Sequence, residues 1–479
     1  MTDYEQLYIG GHWAAPSVDA RIEVRSPHDG SLVGRAAQAG PADVDAAVAA
    51  ARRAFDEGPW PRLSPAERRA VVARFDALHA ARAEEIAALI TAENGTPAWF
   101  TRSLQGALSE QTGAYLRASE GFGWEEEVTS PSGARSLVRR EPVGVVAAVI
   151  PWNAPHQSAL VKVIPALLAG CTVVLKPAQE TPLDGLLLGE LFTEAGFPEG
   201  VVSVLPADRE TSEYLVAHPG VDKVAFTGST RAGRRIAALA GEQLKRVSLE
   251  LGGKSASIVL DDADLDAVVA AVPFMAFTNN GQSCVAHTRL LVPRSRYEEV
   301  VGAVAAAVEK LTVGDPADTA NFVGPLVTAA QRDRVESYIR SGLDEGARLV
   351  AGGPGAPAGL ERGNYVRPTV FADVDNAMRI AREEIFGPVL VLIPYETEED
   401  AVRIANDSPY GLGGGVWSGD PRRALSVARR IRTGTFVVNG APSGFDAPFG
   451  GYKASGVGRE FGAVGLTQYV EHKSIAVAA

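Results

Sequence analysis

The spacing of apolar residues changes near position 143. Upstream, the pattern and its punctuation predict helices. Pro41-Ala42-Asp43 opens an alanine-rich run to Phe55, and Ser64-Pro65-Ala66-Glu67 has the order of an N-cap, a proline at the first helical position and a capping-box acid. That second helix is predicted to continue to Asn94-Gly95, a pair tolerant of the left-handed conformation that stops it, and Pro97 starts another. Downstream, short β-branched runs alternate with amphipathic stretches, the pattern of parallel βαβ units. The expected strands are Val143 to Ile150, Thr172 to Lys176, Val201 to Leu205, Lys223 to Phe226 and Arg246 to Glu250, with helices such as His156 to Leu168 and Leu183 to Ala195 between them. Such an order makes an open, doubly wound sheet, whose ligands sit at the carboxyl ends of the strands. Trp152, Lys176, Gly228 and Glu250 all fall at predicted strand ends.

A second α/β unit is predicted from Ser255 to about Asn439, with strands at Leu290 to Val292, Val389 to Pro394 and Thr435 to Val438. Its helices are expected over Tyr297 to Lys310, Thr328 to Gly346, Glu398 to Asn406 and Pro421 to Ile431, and Gly352 to Pro357 reads as an exposed loop. Segments near Gly123 to Arg140 and after Gly465 alternate like strands but have no obvious partner inside either unit. No internal repeat is visible.

At 479 residues the chain exceeds the usual size of one core, so two or three domains are expected. A hydrophobic fraction of 46% is ordinary for a globular protein, and a net charge of −12 disfavours nucleic acid and anionic membranes as partners. The N-terminus does not read as a secretory signal, and the most apolar stretch, Val143 to Ile150, is too short to cross a bilayer. Two cysteines cannot form a disulfide framework, and a chain that uses a thiolate needs a reducing compartment, so a cytoplasmic location is expected.

The candidate chemistry begins with Cys284, in Phe277-Thr278-Asn279-Asn280-Gly281-Gln282-Ser283-Cys284. Packing does not call for asparagines, glycine and glutamine around a small apolar side chain, which points to a nucleophile; the bland alternative is an inert packing thiol. Thirty-four residues upstream lies Leu249-Glu250-Leu251-Gly252-Gly253-Lys254, a carboxylate before two glycines and a candidate general base. Phe226-Thr227-Gly228-Ser229-Thr230-Arg231-Ala232-Gly233 follows a strand and opens a helix, where backbone N–H groups can meet a pyrophosphate; alone it also reads as a tight turn. Lys176 ends an apolar strand, either as a partner for ribose or phosphate or as a solvated loop lysine. The histidines, His12, His28, His79, His156, His218, His287 and His472, show no metal-ligand spacing, so no metal site is expected. His156 reads as a helix-start residue near solvent, and Cys171, before an apolar strand, as core.

Seven short motifs in one order give these residues a common meaning: Pro151 to Pro155, Lys176-Pro177-Ala178, Phe226 to Thr230, Leu249 to Lys254, Gly281 to Cys284, Glu383-Glu384-Ile385-Phe386-Gly387-Pro388 and Pro448 to Lys453. The chain resembles the NAD(P)-dependent aldehyde dehydrogenases over essentially its whole length. The resemblance implies an α/β fold of two doubly wound domains, a Rossmann-variant cofactor domain (1–122 and 141–252) and a catalytic domain (253–440). It also implies a small β oligomerisation extension (123–140 and 465–479), with 441–464 as active-site and linker segment, and a homodimer or homotetramer. It gives Cys284 the role of nucleophile, Glu250 that of base and Asn153 that of oxyanion donor. The implied cofactor residues are Ile150, Pro151, Trp152, Lys176, Ala178, Gln179, Phe226, Gly228, Ser229, Gly233, Leu251, Glu384 and Phe386. Gln179 stands where NAD-preferring relatives often carry glutamate, so NAD is expected and NADP stays open.

Glu250 separates hydrolytic members from acylating relatives that release the acyl group to coenzyme A, which favours a free acid product. Ala154, where the family often has a bulky side chain, suggests a wide channel for medium-to-large aliphatic or aromatic aldehydes. A non-enzymatic dinucleotide-binding protein and a thiol esterase are the competing readings.

Overall fold

The computed structural model describes residues 2–478. Five predicted strand runs lie side by side in an eight-stranded sheet, as Arg246–Glu250, Lys223–Thr227, Val145–Val149, Thr172–Lys176 and Val202–Val204. All four pairings within this set are parallel. Along Val145–Val149 the side chains alternate between two cores: Val146 and Ala148 enter one, Val145, Ala147 and Val149 the other. A strand buried on both faces reads as an unbroken apolar run, which is why the sequence exposed it. The helices Pro155–Ala169 and Pro182–Ala195 cover one face; Pro41–Asp56 and Thr230–Glu242 cover the other. Chain order reverses between Val145–Val149 and Lys223–Thr227, the switch point where such sheets open a crevice.

A seven-stranded sheet follows, in the order Arg348–Ala351, Thr369–Ala372, Val389–Tyr395, Arg289–Pro293, Ala256–Val259, Gly414–Trp417, Val437–Val438. It is parallel except at Arg348–Ala351. The segments without an evident partner find each other. Val470–Val477 pairs with Arg135–Pro142, which pairs with Glu125–Thr129, in a largely exposed three-stranded sheet. Arg135–Glu127, Arg139–Glu125 and Arg140–Glu126 ion pairs lace its surface.

Three expectations need correction. The helix from Pro65 does not reach Asn94: it ends at Ala81, and a new one runs Ala83–Asn94. Arg82, non-helical at the junction, turns its guanidinium to Glu85 and Glu190, each at 2.7 Å. Strands at Thr2–Tyr4, Leu7–Ile9, His12–Ala14, Arg21–Arg25 and Leu32–Ala37 precede the first helix, most of them too short to carry a period. His156 is not near solvent. It is fully buried, with Nδ1 3.0 Å from His79 Nε2 and Nε2 2.9 Å from the Asp184 carbonyl oxygen. Burial holds both imidazoles neutral, pushing His156 down to about 4 and His79 to about 3. Cys171 lies fully buried in the core. No helix among the described residues is long and apolar enough to cross a membrane.

Candidate active site

Glu250 is the last residue of its strand, and Gly252 to Ser255 carries the chain across to Ala256–Val259 in the second sheet. Cys284 lies on the loop leading into Arg289–Pro293, the neighbour of Ala256–Val259. The two side chains therefore face a cleft between the sheets, at the carboxyl edge of the first. Its cavity, about 540 Å³, is lined by Asn153, Glu250, Cys284 and Thr227, with Trp152, Glu384 and Phe386 also on its wall.

The loop that presents Cys284 is held by its own polar residues. Asn279, Asn280 and Gly281 take positive φ of 55°, 60° and 70°. Asn280 donates to the carbonyls of Gly95 (3.0 Å) and Pro325 (2.8 Å) and accepts from Gly324 N–H at 2.6 Å. Asn279 accepts from Thr96 Oγ1 at 2.7 Å and donates to the Asn153 carbonyl, also at 2.7 Å. A side chain at Gly281 would bring Cβ within 2.2 Å of the Gly387 carbonyl oxygen. The asparagines that make the segment look reactive are thus its anchors. Asn153 donates one amide N–H to the Gln282 carbonyl at 2.9 Å, which fixes the amide beside the thiol and leaves its second N–H for another acceptor.

Both titratable groups are shifted up. Burial, then the charges of Glu384, Glu250 and Glu460, pushes the Cys284 thiol to about 12. Glu250 is 4% exposed, and neither carboxyl oxygen has a hydrogen-bond partner. Desolvation, reinforced by Glu460, holds its pKa well above the carboxylate range, while Lys162, Arg459 and the Gly451 N–H, which is nearby but outside hydrogen-bond geometry, draw it partly back. Behind it, Lys162 Nζ donates to Glu460 Oε1 at 2.5 Å and Thr227 Oγ1 at 2.6 Å. At Gly450 a Cβ would sit 2.6 Å from Glu250 Oε1, so glycine there makes room for the carboxylate.

A second cavity, about 370 Å³, opens on the switch-point side, lined by Lys176, Ala178, Gln179 and Phe226 with Glu180 and Arg231. Lys176 Nζ makes no hydrogen bond among the described residues, and burial draws its pKa down to about 8. Ser229 caps Thr230–Glu242, accepting from Ala232 N–H at 3.2 Å, so the first turn of that helix faces the cleft. Glu384 accepts from Gly253 N–H at 3.0 Å, and a Cβ on Gly252 would lie 2.2 Å from Glu384 Oε2. Phe386, at φ +62°, sets its ring edge-on to Trp152, centroids 5.4 Å apart. An ammonium without a hydrogen bond, the first turn of a helix and a deep carboxylate, spread over these two cavities, offer the donors and the acceptor that the pyrophosphate and ribose of a dinucleotide require.

Most of the residues expected from sequence line one of these two cavities, and two do not. Ile150 packs its side chain into the core at 3% exposure, and Gly233 is occupied by helix packing, since its Cβ would meet Leu251 Cδ2 at 2.4 Å. Sequence reasoning missed Lys162 and Glu460, although a lysine inside Leu160-Val161-Lys162-Val163-Ile164 signals a buried charge in need of a partner. It also missed Gln331 and Arg334, which hold the Glu384 to Phe386 segment by donating to the Phe386 and Glu384 carbonyls, each at 2.7 Å.

Beyond Cys284, Val285 and His287 line a third cavity of about 780 Å³, walled by Phe274, Trp417, Phe436, Phe445, Phe449 and Phe461. A thiol, a buried carboxylate and an amide thus meet between a nucleotide-type groove and an aromatic pocket, an arrangement compatible with an oxidoreductase.

The comparisons agree. The model of the aldehyde dehydrogenase family matches residues 13–475, and the chain belongs to that family. Geranial dehydrogenase of Castellaniella defragrans is 48% identical over 474 residues, covering 99% of this chain and 98% of that one. The 3-succinoylsemialdehyde-pyridine dehydrogenase of a Pseudomonas species is 43% identical, covering 99% of each chain. Among solved structures, Mycobacterium tuberculosis aldehyde dehydrogenase in complex with NAD+ superposes with a TM-score of 0.98 at 50% identity, covering 100% of this chain and 99% of that one. A variant of aldehyde dehydrogenase C from Pseudomonas syringae, in complex with NAD+ and octanal, gives 0.95 at 43% identity, covering 98% and 96%.

Proposed function

We propose that this aldehyde dehydrogenase oxidises medium-to-large apolar or aromatic aldehydes to the free acid with NAD+, through a thiohemiacetal and a thioester on Cys284. The observation that carries the mechanism is the convergence of Cys284, Glu250 and Asn153 on one cavity. An aldehyde has no leaving group but hydride, so a nucleophile must first make its carbon tetrahedral. The thiol, at about 12, does not ionise unaided near neutrality. Glu250, raised and without a hydrogen bond, takes its proton as the S–C bond forms. The oxygen then carries the negative charge, facing the free amide N–H of Asn153 and the backbone N–H of Cys284. When bound, the nicotinamide supplies the acceptor for the hydride that leaves the substrate carbon. Glu250 gives the thiol proton up to solvent; water then attacks the thioester while Glu250 accepts a proton from it, the C–S bond breaks, the acid departs and the Cys284 sulfur takes the proton back from Glu250.

Lys176 and Gln179 would hold the adenosine ribose, Ser229 and its helix end the pyrophosphate, and Glu384 the nicotinamide ribose. The NAD+ complexes of the M. tuberculosis and P. syringae enzymes support this cofactor, and Glu180 on the same wall disfavours a 2′-phosphate. The aromatic cavity, with relatives named for geranial and crystallised with octanal, supports the substrate class. Ala154 lies outside that lining; Gly413, Gly414, Gly415 and Gly434 open the space. The outer edges of the three-stranded sheet, unpaired among the described residues, support a homodimer or homotetramer, and a nucleophilic thiol lining the cleft supports a reducing, cytoplasmic setting. A panel of acetaldehyde, octanal and benzaldehyde with NAD+ and NADP+ in parallel, read at the absorbance of the reduced nicotinamide, tests the reading. Octanal or benzaldehyde is expected to give the highest kcat/KM, with NAD+, and Cys284→Ala to give none; a clear preference for acetaldehyde overturns the substrate class.

A further inference from the structure

The aromatic cavity contains a polar side chain that the reaction scheme leaves without a task. Its other polar walls are already engaged or peripheral: Thr435 donates its hydroxyl to the Leu412 carbonyl at 3.1 Å, Trp417 donates its indole N–H to Ser257 Oγ at 3.0 Å, and Ser443 lies at the exposed rim. His287 is different. Its backbone is fixed by the Met275 carbonyl, yet its imidazole makes no hydrogen bond among the described residues, and Nδ1 is enclosed without a partner. The room for the ring comes from the run Gly413-Gly414-Gly415. A Cβ on Gly415 would lie 3.0 Å from His287 Cε1, and one on Gly414 would lie 2.7 Å from Phe436 Cε2.

An imidazole kept in an apolar wall, at the expense of a desolvated nitrogen, calls for a ligand atom. Burial keeps the ring neutral near pH 7, drawing its pKa down to about 4. A neutral ring carries one N–H, and leaving that donor on the enclosed Nδ1 costs the full desolvation of an unpaired N–H. The proton therefore belongs on Nε2, the nitrogen left to face the cavity. We propose that His287 is a specificity residue, donating a hydrogen bond to an acceptor atom on the body of the aldehyde, so that the enzyme favours apolar aldehydes bearing a ketone, ether or ring-nitrogen acceptor over plain hydrocarbon aldehydes of the same length. This rests on the reading of the aromatic cavity as the aldehyde pocket.

The test is made on binding, so that it does not depend on turnover. In a Cys284→Ala background, which removes covalent capture, dissociation constants are measured calorimetrically for octanal and for a set of ketoaldehydes of equal length with the ketone moved along the chain. One ketone position is expected to bind about fivefold tighter than octanal, the worth of one neutral hydrogen bond. His287→Leu is expected to erase that preference and His287→Gln, which keeps a donor, to restore part of it. The absence of any preferred position, a preference that survives His287→Leu, or equal weakening of every ligand, as a packing defect would give, overturns the proposal. Turnover of octanal by the unaltered enzyme reports separately on the aldehyde-oxidation reading.

Discussion

Glu250 shows how burial trades stability for chemistry. Its folded pKa lies above the unfolded value, so the folded state holds the proton longer than the unfolded chain does. Stability attached to this group is complete below the unfolded carboxylate pKa and is lost as pH rises towards the folded one. Glu250→Gln is therefore expected to raise the melting temperature at pH 8 relative to the wild type, and to leave it nearly unchanged at pH 4, by differential scanning fluorimetry. The same variant is expected to lower kcat by about 10²–10⁴-fold while cofactor affinity holds, with acyl-enzyme accumulating in quenched-flow mass spectrometry. In the wild type, kcat is expected to rise with pH through the raised pKa, a limb that Glu250→Gln removes. A flat profile shared by both forms would exclude Glu250 as the base.

At the scale of elements, the active site depends on one left-handed turn. Asn280 is fully buried, at φ 60°, and ties two separate segments, at Gly95 and at Gly324-Pro325, to the thiol loop. Asn280→Ala removes those hydrogen bonds and places a Cβ without compensation in the left-handed region. It is expected to cost about 3–4 kcal/mol in urea unfolding. Asn280→Gly loses the same bonds but not the conformational fit, and is expected to cost about 1 kcal/mol less. Equal losses would show that the turn is not what the asparagine supplies. Thr172–Lys176 was legible from sequence because a doubly covered strand has a distinctive apolar run. The break at Arg82 was not, because one of the two carboxylates that hold its guanidinium, Glu190, lies 108 residues away.

For the whole molecule, the decisive feature is how far apart in sequence the pieces of one surface are. The tail strand Val470–Val477 completes its sheet against Arg135–Pro142, leaving the three-stranded extension largely exposed. If the proposed homo-oligomer forms through this sheet, deleting residues 470–479 is expected to give a monomer in multi-angle light scattering, while the cofactor groove, built from other segments, keeps its affinity. An unchanged mass would rule out this sheet as the interface.

The five parallel strands between positions 143 and 250, the placement of Trp152, Lys176, Gly228 and Glu250 at or just after strand ends, and the choice of Cys284, Glu250 and Asn153 as candidates could be read locally, by periodicity, by caps and by short motifs, whereas the strands Ala256–Val259, Arg348–Ala351, Thr369–Ala372 and Gly414–Trp417 were not anticipated. Such signals travel along the chain, so one sequence carries them. Tertiary structure alone decided that His156 is buried against His79, that Lys162 meets Glu460 behind the carboxylate, and that His287 stands without a partner in an aromatic wall. Each of these depends on which distant residue desolvates or pairs a group, and burial is a property of the packed whole rather than of any stretch of chain.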